Sequence, residues 1–306
     1  MEVNKIYQGN CLDILKTFED ECIDCCITSP PYYGLRDYGT GDAQVGLEDN
    51  PEEYIANLVA IFHEVQRVLK DEGTLWLNIG DTYNGNKTGN TETVKHPKVV
   101  TESGFQKTKW DGAKSKDLIG IPWMLAFALR ADGWYLRQDI IWAKPNPMPE
   151  SVKDRCTKSH EYIFLLSKNP TYYFDYTAIL EVAVTGETVR DKNEEGYQAD
   201  YAGGDRFSKG AHVYGKDGMR NKRDVWTVLP SRYKGAHFAT FPEELISPMV
   251  LAGCPTGGVV LDPFMGSGTT GVVAKKNHRN YVGCELNSSY IDIAINRIGN
   301  TQTRLF

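Results

Sequence analysis

The sequence predicts a doubly wound α/β fold with a mostly parallel sheet. Three observations support this prediction. Short apolar runs alternate with segments of helical periodicity, a glycine-rich turn joins one apolar run to a helix near the C-terminus, and no internal repeat interrupts the alternation. With 306 residues, of which 41% are hydrophobic and 24% charged, the chain is long and apolar enough for a substantial core.

The first half of the chain alternates between strand and helix. Asn50 and Pro51 predict the start of a long helix, because asparagine caps helices and proline fits their first turn. Apolar residues from Ile55 to Leu69 then recur at helical spacing, and Gly73 predicts the end of that helix. The other elements predicted in this half are a strand at 4–10, a helix at 11–20, strands at 22–28 and 74–80, a helix at 117–131 and a strand at 134–143.

The alternation returns at the end of the chain, after two long interruptions. Residues 84–117 and 183–234 are polar and glycine-rich and show no clear period. Loops of that length in a compact domain are usually functional or mobile. After Phe241-Pro242, the predicted elements are a helix, a strand at 257–262, a helix at 268–277, a strand at 280–285 and a final helix at 288–299.

Charge is distributed unevenly along the chain. The formal net charge of -6 argues mildly against a nucleic-acid partner, but residues 206–234 hold eight Lys or Arg and two acids, and residues 84–117 hold seven Lys and four acids. Either segment is a solvated surface or a contact for phosphates. The chain has no apolar run of 18 residues, and its start lacks a signal-peptide core, so we expect a cytoplasmic protein without a membrane partner.

The seven cysteines do not form a metal-binding pattern. Cys22-x-x-Cys25 has no second pair and no neighbouring histidine at ligand spacing. Cys25 and Cys26 are better explained as small apolar residues of a buried strand. We therefore expect no metal site.

A nucleotide-type cradle is predicted where the strand ending at Asp262 meets the glycines of PFMGSGTT. Glycines let a backbone approach its ligand closely, and the following helix presents free N–H groups. Glu285 ends the next strand, where a carboxylate can accept hydrogen bonds from both hydroxyls of a ribose. Because Gly271 occupies the third glycine position of a dinucleotide motif, this loop alone does not separate NAD from S-adenosylmethionine.

Two motifs together resolve that choice. TSPPYYG at 28–34 and DPFMGSGTTG at 262–271 resemble the signature motifs of DNA amino-methyltransferases, in the order of the β-permuted class. The resemblance implies a seven-stranded methyltransferase sheet and S-adenosylmethionine as the cofactor. It also implies a catalytic half at 1–150 with a mobile basic loop at 84–117, a target-recognition region at 151–234 and a cofactor-binding half at 235–306.

The first motif suits the chemistry of an exocyclic amino group, whose lone pair is delocalised into the base. Ser29 and the carbonyl of Pro30 can accept hydrogen bonds from the two amino hydrogens, and Pro31 stiffens the turn without adding an N–H. Tyr32 offers a face on which an extruded base can stack. The resemblance therefore assigns Ser29, Pro30, Pro31 and Tyr32 as catalytic residues.

The target base is expected to be cytosine, methylated at N4 in double-stranded DNA. Serine at the first motif position is typical of the cytosine-N4 members, whereas aspartate or asparagine is typical of adenine-N6 members, and adenine-N6 remains the alternative. Methylation of cytosine C5 is rejected, because Cys254-Pro255 has the reverse order of the nucleophile motif. A nicotinamide oxidoreductase and a non-catalytic DNA-binding module are more distant alternatives. A cognate restriction endonuclease is a candidate partner, and the oligomeric state is left open.

The remaining site residues follow from the resemblance. GNCLDIL at 9–15 resembles the segment beside the cofactor adenine, and GAHFATFPEEL at 235–245 resembles the segment over its methionine end, where His237 is either a ligand or a helix-entry residue. The expected cofactor residues are Asn10, Cys11, Thr28, His237, Thr240, Asp262, Phe264, Gly266, Ser267, Gly268, Thr269, Thr270, Glu285 and Leu286. The expected DNA-binding residues are Arg36, Lys144, Asn146, Arg206, Arg220, Lys222 and Arg223, with Arg36 equally explained by a surface salt bridge.

Overall fold

The computed structural model describes residues 1–35, 44–85, 110–183, 218–230 and 241–303. Its main feature is an eight-stranded sheet with the strand order β1-β10-β9-β2-β3-β5-β4-β8. The strands are β1 (Lys5–Gln8), β2 (Ile23–Thr28), β3 (Leu69–Ile79), β4 (Tyr135–Ala143), β5 (His160–Ser167), β8 (Val225–Thr227), β9 (Val259–Asp262) and β10 (Asn280–Glu285). Strands β6 (Glu181–Val182) and β7 (Met219–Arg220) form a separate antiparallel pair.

Helices cover both faces of the sheet, as the doubly wound class requires. They are α1 (Cys11–Leu15), α2 (Pro51–Val68), α3 (Ile121–Ala131), α4 (Glu243–Gly253), α5 (Thr269–Lys276) and α6 (Ser288–Gly299). Buried residues of α1, α2 and α3 share one hydrophobic cluster, and those of α4, α5 and α6 share the other. Cys25 and Cys26 are buried in β2 between these clusters, which confirms them as residues of a buried strand.

The centre of the sheet brings the two sequence motifs together. Strands β2 and β9 are parallel neighbours, with Cys25 opposite Val260 and Cys26 opposite Leu261. Because parallel neighbours end at the same edge, the residues that follow Thr28 and Asp262 meet in one crevice at the carboxyl ends of the strands.

The sheet has one more strand than the seven predicted, and one strand runs against the others. Strand β5 pairs antiparallel with both β3 and β4, and the three-residue β8 adds an edge beside β4. The sequence alternation did not reveal either strand, because both lie inside the segment 151–234. The segment 151–234 is therefore not wholly separate from the sheet, since its strand β5 lies inside the sheet between β3 and β4.

Three predicted helix boundaries were wrong. Helix α1 ends at Leu15 rather than at residue 20. Helix α2 ends at Val68 rather than at Gly73, and Gly73 lies inside β3. The pairing of β3 with β2 is irregular there, because Leu69 pairs with Ile23 and Thr74 pairs with Cys25, so five positions along β3 match two along β2. Helix α3 begins at Ile121 rather than at 117, because Asp81 accepts hydrogen bonds from the backbone N–H groups of Gly120 and Ile121 and caps the helix there.

The ends of the long basic loop are held close together. The backbone of Asn84 is hydrogen-bonded to both Lys116 and Asp117, and its side chain contacts Trp110. Residues 86–109 of this loop lie outside the described part of the chain. None of the helices in the described ranges combines the length and the apolar character that a membrane span needs.

Candidate functional site

A cavity of about 450 Å³ opens at the carboxyl edge of the sheet, between the two motifs. One end is formed by the loop after β1, the glycine turn after β9 and the residues after β10. The other end is formed by the Ser29–Tyr32 turn and by residues from β3, β4, β5 and the loop after β4. Its size is in the usual range for small-molecule sites.

Asp262 organises the wall between the two motifs. Its carboxylate accepts hydrogen bonds from the hydroxyls of Thr28 (2.7 Å) and Thr270 (2.6 Å) and from the backbone N–H of Phe264 (3.0 Å). It is 1% exposed, and burial raises its pKa to about 6 against these three donors. Asp262 therefore joins β2, the glycine turn and α5 from behind the cavity wall.

The glycine turn is held in place by its backbone conformation and by an arginine. Gly266 and Gly268 have φ values of 51° and 83°, which favour glycine. A Cβ at Gly268 would also lie 2.7 Å from the Cβ of Ala294 in α6. From that helix, Arg297 donates to the backbone carbonyl and the hydroxyl of Ser267 and to the hydroxyl of Thr269.

Glu285 fastens the same turn to the end of β10. One carboxylate oxygen accepts from the backbone N–H of Gly266 at 2.8 Å, and the other accepts from that of Asn287 at 2.9 Å. Burial raises the pKa of this carboxyl. Glu285 also lines the cavity, so it both shapes the turn and forms part of the cavity wall.

The Ser29–Tyr32 turn is anchored by two tyrosines. The Tyr54 hydroxyl of α2 donates to the carbonyl of Pro31 at 2.8 Å. Tyr33 is buried against Tyr54, with 5.6 Å between the ring centroids, and donates to the carbonyl of Asp49. Tyr33, for which the sequence suggested no role, is thus a structural residue that seats the turn.

Tyr32 lies in the cavity wall with its hydroxyl in a polar cluster. This hydroxyl is 2.8 Å from Oε2 of Glu161 and 3.2 Å from Oδ1 of Asn78. Glu161 also forms an ion pair with Lys144, whose ammonium lies 4.1 Å from the centre of the Trp142 ring. Trp142 is buried and donates to the carbonyl of Val228, so it is a core residue as well as part of the wall.

The loop after β4 forms the rim at this end. Lys144 and Asn146 line the cavity, together with Met148, which is 85% exposed between two prolines. The other expected DNA-binding residues that the structure describes lie elsewhere. Arg220 and Arg223 both pair with Glu181 across the small β6–β7 sheet, and Lys222 lies over Trp226.

The thiols near the site are poor nucleophiles. Burial raises the pKa of Cys11, which lines the cavity, to about 12. Burial also raises the pKa of the Cys254 thiol, which packs in the core of the sheet. A nucleophilic cysteine needs an environment that lowers the pKa of its thiol, so neither thiol suits attack on a base carbon.

Most of the expected site residues meet at this cavity. The expected residues that line it are Asn10, Cys11, Ser29, Pro30, Pro31, Tyr32, Lys144, Asn146, Phe264, Gly266, Ser267, Thr269, Glu285 and Leu286. Thr28, Asp262, Gly268 and Thr270 stand behind the wall and support it. Arg220, Lys222 and Arg223 are not brought to it. Arg36, Arg206, His237 and Thr240 lie outside the described residues.

Sequence reasoning missed Asn78, Glu161 and Arg297. Asn78 is a polar residue inside the apolar run TLWLNIG, and Glu161 stands at the start of the apolar run EYIFLL. A polar side chain at the edge of a buried strand is the signal that could have identified them. Arg297 lies in an ordinary amphipathic helix, and only the packing of that helix shows its contact with the glycine turn.

The glycine-turn end of the cavity fits S-adenosylmethionine. Phe264, Leu286 and Tyr290 supply apolar surface for an adenine ring, and Glu285 supplies a carboxylate for ribose hydroxyls. Within the described part of the wall, the one cationic side chain is Lys144, at the opposite end and paired with Glu161. This arrangement suits a cofactor that carries a positive charge and no phosphate.

Comparison with known proteins agrees with this geometry. The sequence model of the family described as DNA methylase matches residues 23–296. The Type II methyltransferase M.Cfr9I from Citrobacter freundii is 46% identical over 98% of this chain and 89% of its own length. The Type II methyltransferase M.SmaI from Serratia marcescens is 47% identical over 96% of this chain and 90% of its own length.

Two solved structures share the fold. The PvuII DNA methyltransferase, described as cytosine-N4-specific, matches with a TM-score of 0.62 and 18% identity, covering 99% of this chain and 95% of that chain. The complex of M1.HpyAVI with SAM matches with a TM-score of 0.54 and 17% identity, covering 96% of this chain and 98% of that chain. Each alignment covers almost the whole of this chain and of the solved chain.

Proposed function

The chain belongs to the DNA methylase family, and we propose that it methylates the exocyclic N4 of cytosine at a specific site in double-stranded DNA. It is a Type II DNA methyltransferase of the N4/N6 type, and its cofactor is S-adenosylmethionine. The choice of cytosine N4 is the proposal, with adenine N6 as the alternative.

The observation that carries the choice is the position of Ser29. Its side chain lines the cavity directly after β2, at the end where Lys144 and Asn146 stand. Serine is uncharged and short, and the first position of this motif is typically serine in the cytosine-N4 members of the family. Buried Cys11 and Cys254 thiols argue against the C5 chemistry, which needs a cysteine nucleophile.

The Ser29–Pro30 turn supplies two acceptors for an amino group. The Ser29 hydroxyl and the Pro30 carbonyl engage the two N–H hydrogens and draw the nitrogen lone pair out of conjugation with the ring. Proline has a fixed φ and no N–H, so the turn holds these acceptors in place. When bound, S-adenosylmethionine supplies a methyl group on a positively charged sulfur, and the glycine turn and Glu285 would hold it beside the serine.

The rim of the cavity suits an extruded base. Flipping a base costs a few kcal/mol, which stacking and hydrogen bonds in the pocket must offset. Tyr32 provides an aromatic surface in the wall, and exposed Met148 provides an apolar side chain at the rim that can occupy the space vacated in the duplex. Both are consistent with a base entering from the side of the loop after β4.

We further propose that the target-recognition region lies within residues 151–234, apart from β5 (His160–Ser167) in the main sheet, between a catalytic half at 1–150 and a cofactor-binding half at 235–306. Among its described parts, β8 lies at the β4 edge of the sheet, and β6 and β7 form a separate two-stranded sheet. Exposed Arg223 and half-buried Lys222 are candidates for phosphate contacts there. The enzyme would act in the cytoplasm, and a restriction endonuclease that cuts the same site would be its partner.

Analysis of the reaction product tests the proposal. The protein is incubated with S-adenosylmethionine and duplex DNA, the DNA is digested to nucleosides, and the methylated nucleoside is identified by mass spectrometry. N4-methylcytosine is expected, and N6-methyladenine or 5-methylcytosine would refute the choice of base. We expect Ser29→Ala to lower kcat by about a hundredfold or more, as loss of one hydrogen bond that strengthens in a transition state does. Cofactor affinity, measured by calorimetry, should change little.

A further inference from the structure

Asn78 and Glu161 have no part in the two motifs, yet the fold places both at the base-binding end of the cavity. Asn78 lies near the carboxyl end of β3. Glu161 lies near the start of β5, opposite Trp142. Because β5 is antiparallel, it begins at the edge where β3 and β4 end. This reversal is what brings a β5 carboxylate to a crevice otherwise built from the ends of parallel strands.

Tyr32 donates its hydroxyl hydrogen to Glu161. The phenol has one hydrogen to donate, to Oε2 of Glu161 at 2.8 Å or to Oδ1 of Asn78 at 3.2 Å, and the Ser29 side chain is a further hydrogen-bond partner of Tyr32. The carboxylate is the nearer acceptor and the charged one, and charge-assisted hydrogen bonds are about twice as strong as neutral ones. The amide of Asn78 donates to the carbonyl of Tyr162, which fixes its own orientation beside this pair.

Lys144 keeps Glu161 in position. Its ammonium pairs with Oε1 of Glu161, and the side chains of Lys144 and Glu161 are 19% and 15% exposed. The other carboxylate oxygen accepts from Tyr32 and, at 3.3 Å, from the amide of Asn78. Lys144 is itself held over the Trp142 ring, on the strand next to β5. The carboxylate is therefore anchored on one side by a cation and fixed on the other as the acceptor for the tyrosine.

A second side of the Tyr32 ring packs against the backbone of Gly80, which has no side chain. A Cβ at Gly80 would lie 2.6 Å from Cε2 of Tyr32, so the ring packs where only glycine leaves room. Tyr54 holds the preceding carbonyl of Pro31. With its backbone, one edge and its hydroxyl all held, the ring presents its remaining surface to the cavity in one orientation.

We propose that Glu161, locked by Lys144, is a positioning residue that fixes the Tyr32 ring against which the target base is placed. This inference rests on the proposed base-binding role of Tyr32. Glu161 acts through the tyrosine, because its carboxylate is occupied by Tyr32, Asn78 and Lys144. Small displacements of a reacting group can lower the rate about a hundredfold, so we expect the loss of Glu161 to lower kcat.

A double-mutant cycle with Tyr32→Phe and Glu161→Gln tests the coupling. Each single variant should lower kcat for duplex methylation by about 10- to 100-fold, the size expected for one hydrogen bond to a charged group. The Kd for S-adenosylmethionine and the KM for DNA should stay within about threefold of the wild-type values. The double variant should be no slower than the slower single variant. Glu21→Gln, which removes an exposed carboxylate paired with Lys168, is the matched control and should keep the wild-type kcat.

The outcomes separate this inference from the proposed function. Losses that multiply in the double variant would show that the two residues act independently and would overturn the proposal. Full kcat in Tyr32→Phe would overturn it even if Glu161→Gln does not fold, because phenylalanine keeps the ring and removes only the hydroxyl. A wild-type protein that methylates adenine would refute the cytosine assignment alone, and the cycle could still be measured on that product.

Discussion

Replacing Thr270 by valine should destabilise the protein by an amount that depends on pH. Thr270 donates to the buried Asp262 carboxylate at 2.6 Å, and its side chain is fully buried. Valine keeps the shape and removes the donor. The pKa of Asp262 is about 6 in the fold, against its ordinary value of 3.8, so the carboxyl is ionised at pH 8 and mostly protonated at pH 5.

The magnitude follows from the charge of the acceptor. At about pH 8, losing a hydrogen bond to a charged group should cost about 1.5–3 kcal/mol of unfolding free energy, and at about pH 5, losing a neutral one should cost about 1 kcal/mol. The stability of the wild-type protein also depends on pH through Asp262. Because the pKa of Asp262 is higher in the folded state than in the unfolded state, its contribution to stability is fully present below about pH 4. That contribution, about 3 kcal/mol, is lost as the pH rises through about 6.

Urea denaturation followed by tryptophan fluorescence at the two pH values measures both effects. Thr17→Val is the matched control, because the Thr17 hydroxyl donates at 2.7 Å to the carbonyl of Ile14, which does not titrate. The cost of Thr17→Val should be the same at both pH values. If Thr270→Val costs the same at pH 5 as at pH 8, or more at pH 5, the charged hydrogen-bond account of Asp262 is wrong.

Three further substitutions test the glycine turn. Gly268→Ala should destabilise the fold by about 2 kcal/mol or more, because alanine is strained in the left-handed backbone conformation and its Cβ would clash with Ala294. The control Gly299→Ala has open space at its Cβ and should cost less than about 1 kcal/mol. Thermal unfolding of the two variants measures the difference. Arg297→Met should lower the unfolding free energy by about 1.5–3 kcal/mol and weaken cofactor binding measured by calorimetry, because Ser267 loses its partner; unchanged affinity would contradict the role of Arg297 in holding the turn. Glu285→Gln should raise the cofactor Kd by about tenfold or more. Each carboxylate oxygen of Glu285 now accepts from a backbone N–H group, and the NH₂ group of glutamine cannot accept such a bond. An unchanged Kd would be inconsistent with the proposed ribose contact.

Local patterns in the sequence were sufficient for the fold class and for the two motifs. Periodicity and turn residues depend on neighbours a few positions apart, so they predicted β2, β9 and the helices between them correctly in type. The same reasoning failed for β5, because an antiparallel strand inside a long segment carries no local mark of where it pairs. It also misplaced the end of α2, since the irregular pairing around Gly73 depends on the partner strand.

The sequence by itself determined the family resemblance and the cofactor class and singled out the Ser29–Tyr32 turn, because these depend on short motifs whose chemistry is carried by residue type and spacing. Only the tertiary structure decided which residues support that turn. Glu161, Asn78 and Arg297 reach the cavity from distant parts of the chain through strand order, strand direction and helix packing. Those contacts arise from burial and hydrogen bonding across the sheet, and no local spacing encodes them.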